Sequence, residues 1–315
     1  LEQGGATLIA APDPVLLPKA CKNAVEVAGA RQVHVRDAVV VVRFLAWLDA
    51  QLQHGQYHDE AGLADQLLAF REDGEHFQGP SFDTISAAGG NAAMCHYNHR
   101  NATPARLPPD SVYLVDSGGQ YTDGTTDITR TVAIGTPAAE VRKLFTLVLQ
   151  GHIALDQAQF PRGTTGTHLD VLARQPLWRE GFDYDHGTGH GVGAFLSVHE
   201  GPQRISRAWS AATLEPGMIL SNEPGYYRDG EFGIRCENLV VVQALNGELE
   251  TPMYGFDVLT LVPFDRRLIE VGLLSPAEQA WIDAYHRRVE ATVAPLLDAP
   301  DRQWLVQACA PLIAS

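Results

Sequence analysis

Val115-Asp116-Ser117-Gly118-Gly119-Gln120-Tyr121-Thr122-Asp123-Gly124-Thr125-Thr126-Asp127 separates two runs rich in β-branched residues, Ser111 to Asp116 and Thr126 to Ile134. Residues of that kind fit a pleated strand. Gly118, Gly119 and Asp123-Gly124 supply the turn chemistry between them, so the segment reads as an antiparallel hairpin. Asp116 and Asp127 then sit near the facing ends of its two strands, where two carboxylates can converge on one point. Taken alone, an aspartate beside a glycine is most often a turn cap.

Two further stretches add to that pair. In Gly187-Thr188-Gly189-His190-Gly191-Val192-Gly193 the flanking glycines remove side chains that would crowd a ligand or a backbone approaching His190. The glycine spacing does not match a phosphate loop, and there is no lysine to complete one. Asn222-Glu223-Pro224-Gly225 and Ile234-Arg235-Cys236-Glu237-Asn238 put Glu223 at the end of one expected strand and Glu237 at the start of the next. Each carboxylate alone reads as a solvated surface group. Together, four carboxylates and one imidazole form a ligand set hard enough for manganese and acceptable to cobalt, iron or zinc.

Composition narrows the partners. Asp plus Glu outnumber Lys plus Arg by 38 to 23, a formal charge of -15, which repels nucleic acid and anionic membrane surfaces. With 45% apolar and 19% charged residues, and no apolar run of spanning length, the sequence reads as a soluble globule. Excess carboxylate is tolerable in a site only when cations neutralise it. Cys21, Cys95, Cys236 and Cys309 lie far apart without a CxxC pair, which fits reduced thiols in cytoplasm.

Elsewhere, Ala6 to Ala10 reads as a short strand followed by a linker with Pro12, Pro14 and Pro18. Val25 to Leu52 reads as one long helix, and Asp59 as the cap of a second through about Phe70. Phe82 to Ser86 resembles a strand. Thr136 as N-cap with Pro137 predicts a helix that ends near Phe160-Pro161, with Val141, Leu144, Phe145, Val148 and Leu149 at helical spacing. Gly217 to Asn222 and Asn238 to Gln243 read as strands around a hairpin at Gly225 to Phe232. Ser275-Pro276-Ala277-Glu278 is a capping box opening a helix with Trp281, Tyr285, Val289 and Val293 on one stripe. His54, His58, His152 and His286 lie outside every motif and receive no site role.

The ordered set Asp116 to Thr131, His186 to Glu200, Asn222 to Gly225 and Arg235 to Asn238 resembles the pita-bread metallopeptidases, most closely aminopeptidase P. His186-Gly-Thr-Gly-His190-Gly-Val-Gly with Val198-His199-Glu200-Gly201-Pro202 is similar to its cytosolic type. The resemblance runs from about Lys22 to the C-terminus. It implies an α+β pita-bread fold: two pseudo-symmetric α/β halves, with a curved, mostly antiparallel sheet flanked by helices. It also implies that Asp116, Asp127, His190, Glu223 and Glu237 bind two divalent ions, Asp127 and Glu237 bridging both. Manganese is expected there, with zinc, cobalt and iron as alternatives. A bridging hydroxide would attack the bond before proline, and Glu223 would shuttle its proton to the leaving nitrogen. Histidines matching His96 and His199 face the substrate, and Arg235 would hold a ligand carboxylate. His186 would either touch substrate or orient the glycine loop.

The implied partners are peptides with proline second and another copy of the chain in a homodimer, in the cytoplasm. A rival reading is an Xaa-Pro dipeptidase, which shares fold and ligands and differs in how the substrate's far end is held. A creatinase-like hydrolase or an inert binding module is disfavoured because all five ligand positions are intact. Residues 1–20 read as the tail of a preceding domain and a linker, and residues 21–315 as the catalytic domain. In relatives the earlier domains help close the substrate site and support oligomer contacts.

Overall fold

The computed structural model describes residues 1–11, 13–247 and 250–312. Its α-helices are α1 (Leu16–Ala20), α2 (Ala24–Gln53), α3 (Glu60–Glu72), α4 (Ala139–Asp156), α5 (Gly166–Arg179), α6 (Pro276–Val293) and α7 (Ala299–Ala308). Local chemistry explains several boundaries. Asn23 and Glu26 form a reciprocal capping box at the start of α2, the Asp59 side chain accepts from Gly62 N at the start of α3, and Ser275 with Glu278 caps α6. Each satisfies amide groups that a helix start leaves without intrahelical partners. Among the described residues no helix is long and apolar enough to cross a membrane.

Two antiparallel sheets carry the architecture. In the first, Ser111–Ser117 lies between Ile85–Ala88 and Ile128–Ile134; in the second the order is Ile219–Asn222, Asn238–Ala244, Met253–Val258 and Phe160–Pro161. The central pair of each follows one plan. A strand ends within one residue of a carboxylate, the chain makes a small two-stranded excursion, and it re-enters the sheet just after a second carboxylate. The excursion is Gly119–Tyr121 with Gly124–Thr125 in the first half and Gly225–Arg228 with Phe232–Arg235 in the second. The α+β organisation in two related halves is therefore the one the chain adopts. α2 packs with α3, and α4 with α5, where a Cβ on Gly151 would lie 2.0 Å from Ala173 O, so only glycine permits that approach.

The two sheets are stitched together by side chains. Thr131 Oγ1 accepts from Arg235 N and donates to Arg235 O, both at 3.0 Å, while Glu237 N donates to Thr129 O at 3.3 Å. Arg130, buried between them, uses all of its N–H groups. Nε donates to Pro263 O, Nη1 to Thr129 O and Glu237 O, and Nη2 to Asn238 Oδ1 and Val262 O. Its guanidinium also lies 4.2 Å from the centroid of the Phe264 ring. An arginine has five such donors in a fixed fork, and here one side chain locks the first sheet to the second and to the segment before α6.

Several expectations are corrected. Residues 6–10 are irregular and exposed, since no neighbouring strand offers a ladder there among the described residues; Pro12 lies outside them. The strand expected at Phe82 to Ser86 is instead Ile85–Ala88, because pairing begins where Ile85 meets Asp116, with another strand earlier, at Phe77–Pro80. α4 starts at Ala139 with no side-chain cap. Thr136 N is taken by Asp110 Oδ1 at 2.8 Å, and the residue before a proline disfavours helical geometry. That helix ends at Asp156, and Phe160–Pro161 becomes an edge strand against Met253–Tyr254.

Replacing Arg130 with methionine takes a donor from five buried acceptors, of which Thr129 O keeps Glu237 N and Val262 O keeps Tyr285 OH, and lysine can re-bond at most three. Both variants are expected to lose roughly 3 kcal/mol or more of stability in urea denaturation. A lysine variant of wild-type stability would refute the seam's dependence on the guanidinium fork.

Candidate active site

The seam sets the two carboxylate pairs face to face. Asp116 stands opposite Thr129, two residues from Asp127, and Asn222 stands opposite Asn238, so Glu223 and Glu237 leave the second sheet side by side. Ligand atoms of Asp127, His190 and Glu237 lie within 4.8 Å of one another. His190 Nε2 is 3.4 Å from both Asp127 Oδ2 and Glu223 Oε1. Asp116 joins through Arg235, whose Nη2 donates to Asp116 Oδ2 at 2.6 Å. The cleft over this cluster, about 340 Å³, is also lined by Cys95, His96, His186, His199 and Arg204.

Glu237, Glu223 and His190 are held from behind. Thr129 Oγ1 donates to Glu237 Oε2 at 2.7 Å and accepts from Arg235 Nε. Ser221 Oγ donates to Glu223 Oε1 and accepts from His190 N, both at 2.9 Å. His190 Nδ1 donates to the carbonyl of Gly191 at 3.0 Å, which leaves Nε2 as the nitrogen aimed at the carboxylates. Glycine is required around His190 for backbone packing: a Cβ on Gly189 would sit 2.0 Å from Ser221 O, and one on Gly191 would sit 1.9 Å from Glu200 O.

The predicted substrate-facing histidines divide. His96 and His199 are exposed at the cleft, with the His199 ring edge-on to His190 at a centroid distance of 4.2 Å. Their loops are anchored by buried charges. Glu60 accepts from Ala88 N, Asn91 Nδ2, Tyr97 OH and Ala105 N around His96, and Lys22 Nζ donates to Val192 O and lies 3.5 Å from Glu200, next to His199. His186 has both nitrogens engaged, Nδ1 with Gly187 O and Nε2 with Tyr227 OH, each at 2.8 Å. Of the two roles open to it, this geometry favours orienting the glycine loop.

Sequence reading passed over Thr129, Ser221 and Tyr227. The first two had a signal: they follow the period of two along a strand from Asp127 and Glu223 respectively. Tyr227 OH, which accepts from Arg235 Nη1 at 2.8 Å, had none, because its partners come from 8 and 41 residues away.

These residues fit divalent cations. The donors are hard carboxylate oxygens and one oriented imidazole, and Asp116 Oδ1 is buried without a hydrogen-bond partner. Among the described residues no other group of three or more His, Cys, Asp or Glu ligand atoms is gathered this closely.

Comparison with known proteins agrees with that chemistry. Residues 28–244 match the model of metallopeptidase family M24, and residues 252–312 match the C-terminal region described for the same peptidases. A probable Xaa-Pro aminopeptidase P of Laccaria bicolor is 48% identical over 310 residues, covering 95% of this chain and 48% of the relative. The X-prolyl aminopeptidase of Caenorhabditis elegans, described as a cytosolic enzyme with a di-nuclear active site, superposes with a TM-score of 0.92 at 39% identity. That superposition covers 95% of this chain and 50% of that one. An Xaa-Pro dipeptidase from Bacillus anthracis is more distant, with a TM-score of 0.64 and 25% identity over 80% of this chain and 64% of its own. The chain thus spans about half the length of the curated relatives it matches.

Crowded carboxylates shape the electrostatics. Burial pushes Asp116 up to about 6, with Arg235 opposing and Asp127 adding to the shift. Burial likewise pushes Glu223 up to about 7, against the pull of His190 and Arg235. Glu237 is raised well above its ordinary range by burial and then by Asp127, Asp116 and Glu223. For His190, burial opposes the charged form but is outweighed by the hydrogen bond with Asp127 and the charges of Glu223 and Asp127, and its pKa rises to about 9. A raised carboxyl contributes stability that is complete below its ordinary pKa and is lost as pH climbs through the raised one. In chelator, the protein should therefore lose Glu223's contribution between about 4.5 and about 7. Glu223→Gln, neutral throughout, is expected to match wild type near pH 4.5 and exceed it at pH 8. Urea midpoints at the two pH values check this, and equal midpoints at both would refute it.

Proposed function

The chain belongs to metallopeptidase family M24, and on that premise we propose that it hydrolyses the bond between an N-terminal residue and a following proline. Two divalent cations, manganese first among them, would be held by Asp116, Asp127, His190, Glu223 and Glu237. The observation that carries this reading is the convergence of Asp127, His190 and Glu237 within 4.8 Å, with His190 turning its Nε2 toward the carboxylates. Proline specificity is supported by likeness to the Laccaria bicolor and Caenorhabditis elegans proteins.

Bound cations would supply Lewis acidity that activates water near neutral pH and stabilises developing negative charge. The chain's own groups do the rest. Glu223 accepts the proton of the attacking water and delivers it to the leaving proline nitrogen, with Ser221 on Oε1 fixing its orientation. Exposed His96 and His199 donate to substrate carbonyl and oxyanion oxygens from the cleft wall. Arg235 holds Asp116 and, through Thr129, steadies Glu237.

Residues 21–315 form the catalytic unit in this proposal, which works in the cytoplasm as a homodimer. Support for the compartment comes from four free cysteines and from the cytosolic description of the Caenorhabditis elegans enzyme. The aminopeptidase reading is preferred over a dipeptidase because the closer likeness, at a TM-score of 0.92 against 0.64, is to an aminopeptidase.

The test is cleavage of an Xaa-Pro-Yaa tripeptide in manganese beside an Xaa-Ala-Yaa control. The proline peptide should release its first residue, and Glu223→Gln should cut the rate about 10²- to 10⁴-fold with metal retained. Equal cleavage of both peptides would remove the specificity, cleavage of Xaa-Pro dipeptides alone would make it a dipeptidase, and failure to bind metal would remove the mechanism.

A further inference from the structure

His152 lies on α4, outside every sequence motif, yet the fold buries it completely behind the two glutamates. Its Nδ1 faces the carbonyl of Asn222 at 3.1 Å, and its Nε2 faces Asn238 Nδ2 at 3.2 Å. Asn222 Nδ2 in turn donates to the His152 carbonyl at 2.9 Å. Asn222 and Asn238 are register partners across the second sheet. One precedes Glu223 and the other follows Glu237.

Partner chemistry decides every proton in this chain of contacts. Arg130 Nη2 has only hydrogens to offer, so the Asn238 group 2.8 Å away is the amide oxygen. The Asn238 NH₂ therefore points at His152 Nε2, which must accept, and Nδ1 carries the ring hydrogen and donates to Asn222 O. Burial, followed by the charge of Arg130, keeps the imidazole neutral by lowering its pKa to about 3. Gly151, one residue earlier, lets α5 close on α4, while the His152 ring is boxed edge-on by Phe264 and Trp281.

We propose that His152 is a positioning residue. By bridging Asn222 O and Asn238 Nδ2 it sets the spacing and orientation of Glu223 and Glu237, and so the affinity of the site for its cations. This rests on the metal-binding reading given under Proposed function, because only there do Glu223 and Glu237 act as ligands. A partner hydrogen-bonded to a ligand itself typically contributes about 10- to 100-fold in metal affinity, and that range sets the upper scale for His152, which acts one residue removed from each ligand.

The test uses the whole chain as His152→Phe, which keeps a planar ring and loses both bonds, and as His152→Asn, which can retain only the bond to Asn222. Amide hydrogen exchange in chelator should accelerate at least tenfold in Ile219–Asn222 and Asn238–Ala244 of the phenylalanine variant, with Ser111–Ser117 unchanged. Calorimetric titration with manganese alone should show a weaker dissociation constant, by up to about 10- to 100-fold, with the asparagine variant in between. Wild-type exchange and affinity would overturn the proposal, as would uniform acceleration across all strands, which marks general destabilisation. If the phenylalanine variant does not fold, the asparagine variant decides by the same two readouts. A wild-type chain that takes up no manganese would instead remove the metal-binding reading, and the selective exchange effect would still decide whether His152 positions these strands.

Discussion

Two antiparallel sheets meet along strands that are not ladder partners over their length, and a buried guanidinium with two threonine hydroxyls supplies the missing hydrogen bonds. Arg130 spends its donors on four carbonyls and one amide oxygen, while Thr129 and Thr131 join the strand after Asp127 to the strand before Glu237. Buried backbone acceptors must be satisfied, so the seam admits few alternative registers. A one-residue slip would turn every ligand candidate to the opposite face. The geometry of the centre is thus a consequence of how the halves are sewn, and the small excursions between the carboxylates merely return the chain to the seam.

That arrangement concentrates negative charge where water is scarce. Asp116, Asp127 and Glu237 are nearly inaccessible, and Arg235 together with an oriented His190 offsets only part of their repulsion. Buried charges persist when paired or when they coordinate metal. The raised affinities of Asp116, Glu223 and Glu237 for protons express the same demand for positive charge that a pair of divalent cations would meet. Around the cluster, part of the rigidity comes from groups without formal charge: Thr129, Ser221, Tyr227 and the neutral imidazoles of His152 and His186, the last also lowered to about 3 by burial and by Arg235.

Much of this was legible from residue order because the deciding signals are local. The capping box at Ser275, the β-branched content of Ser111–Asp116, and the glycines after Asp116 and around His190 act within a few residues of one another. The signals failed where a partner lay elsewhere in the chain. Residues 6–10 have strand propensity but, among the described residues, no strand to join, and α4 starts at Ala139, with the Thr136 amide held by Asp110, 26 residues earlier. α5 went unread, with Pro176 inside it. His152 received no site role because its contacts are 70 and 86 residues away.

The order of chemistry-bearing residues, Asp116, Asp127, His190, Glu223 and Glu237, with the motifs around them, by itself carried the resemblance that implied the fold class and the metallopeptidase family, while periodicity and turn preference, being properties of neighbouring residues, placed the local elements. Which oxygen of each carboxylate is free, which histidine nitrogen carries the proton, and why His152, Tyr227 and Arg130 stand where they do were decided only by tertiary structure. Those are choices of hydrogen-bond partner, and a partner brought from a hundred residues away exists only after the sheets have closed on each other.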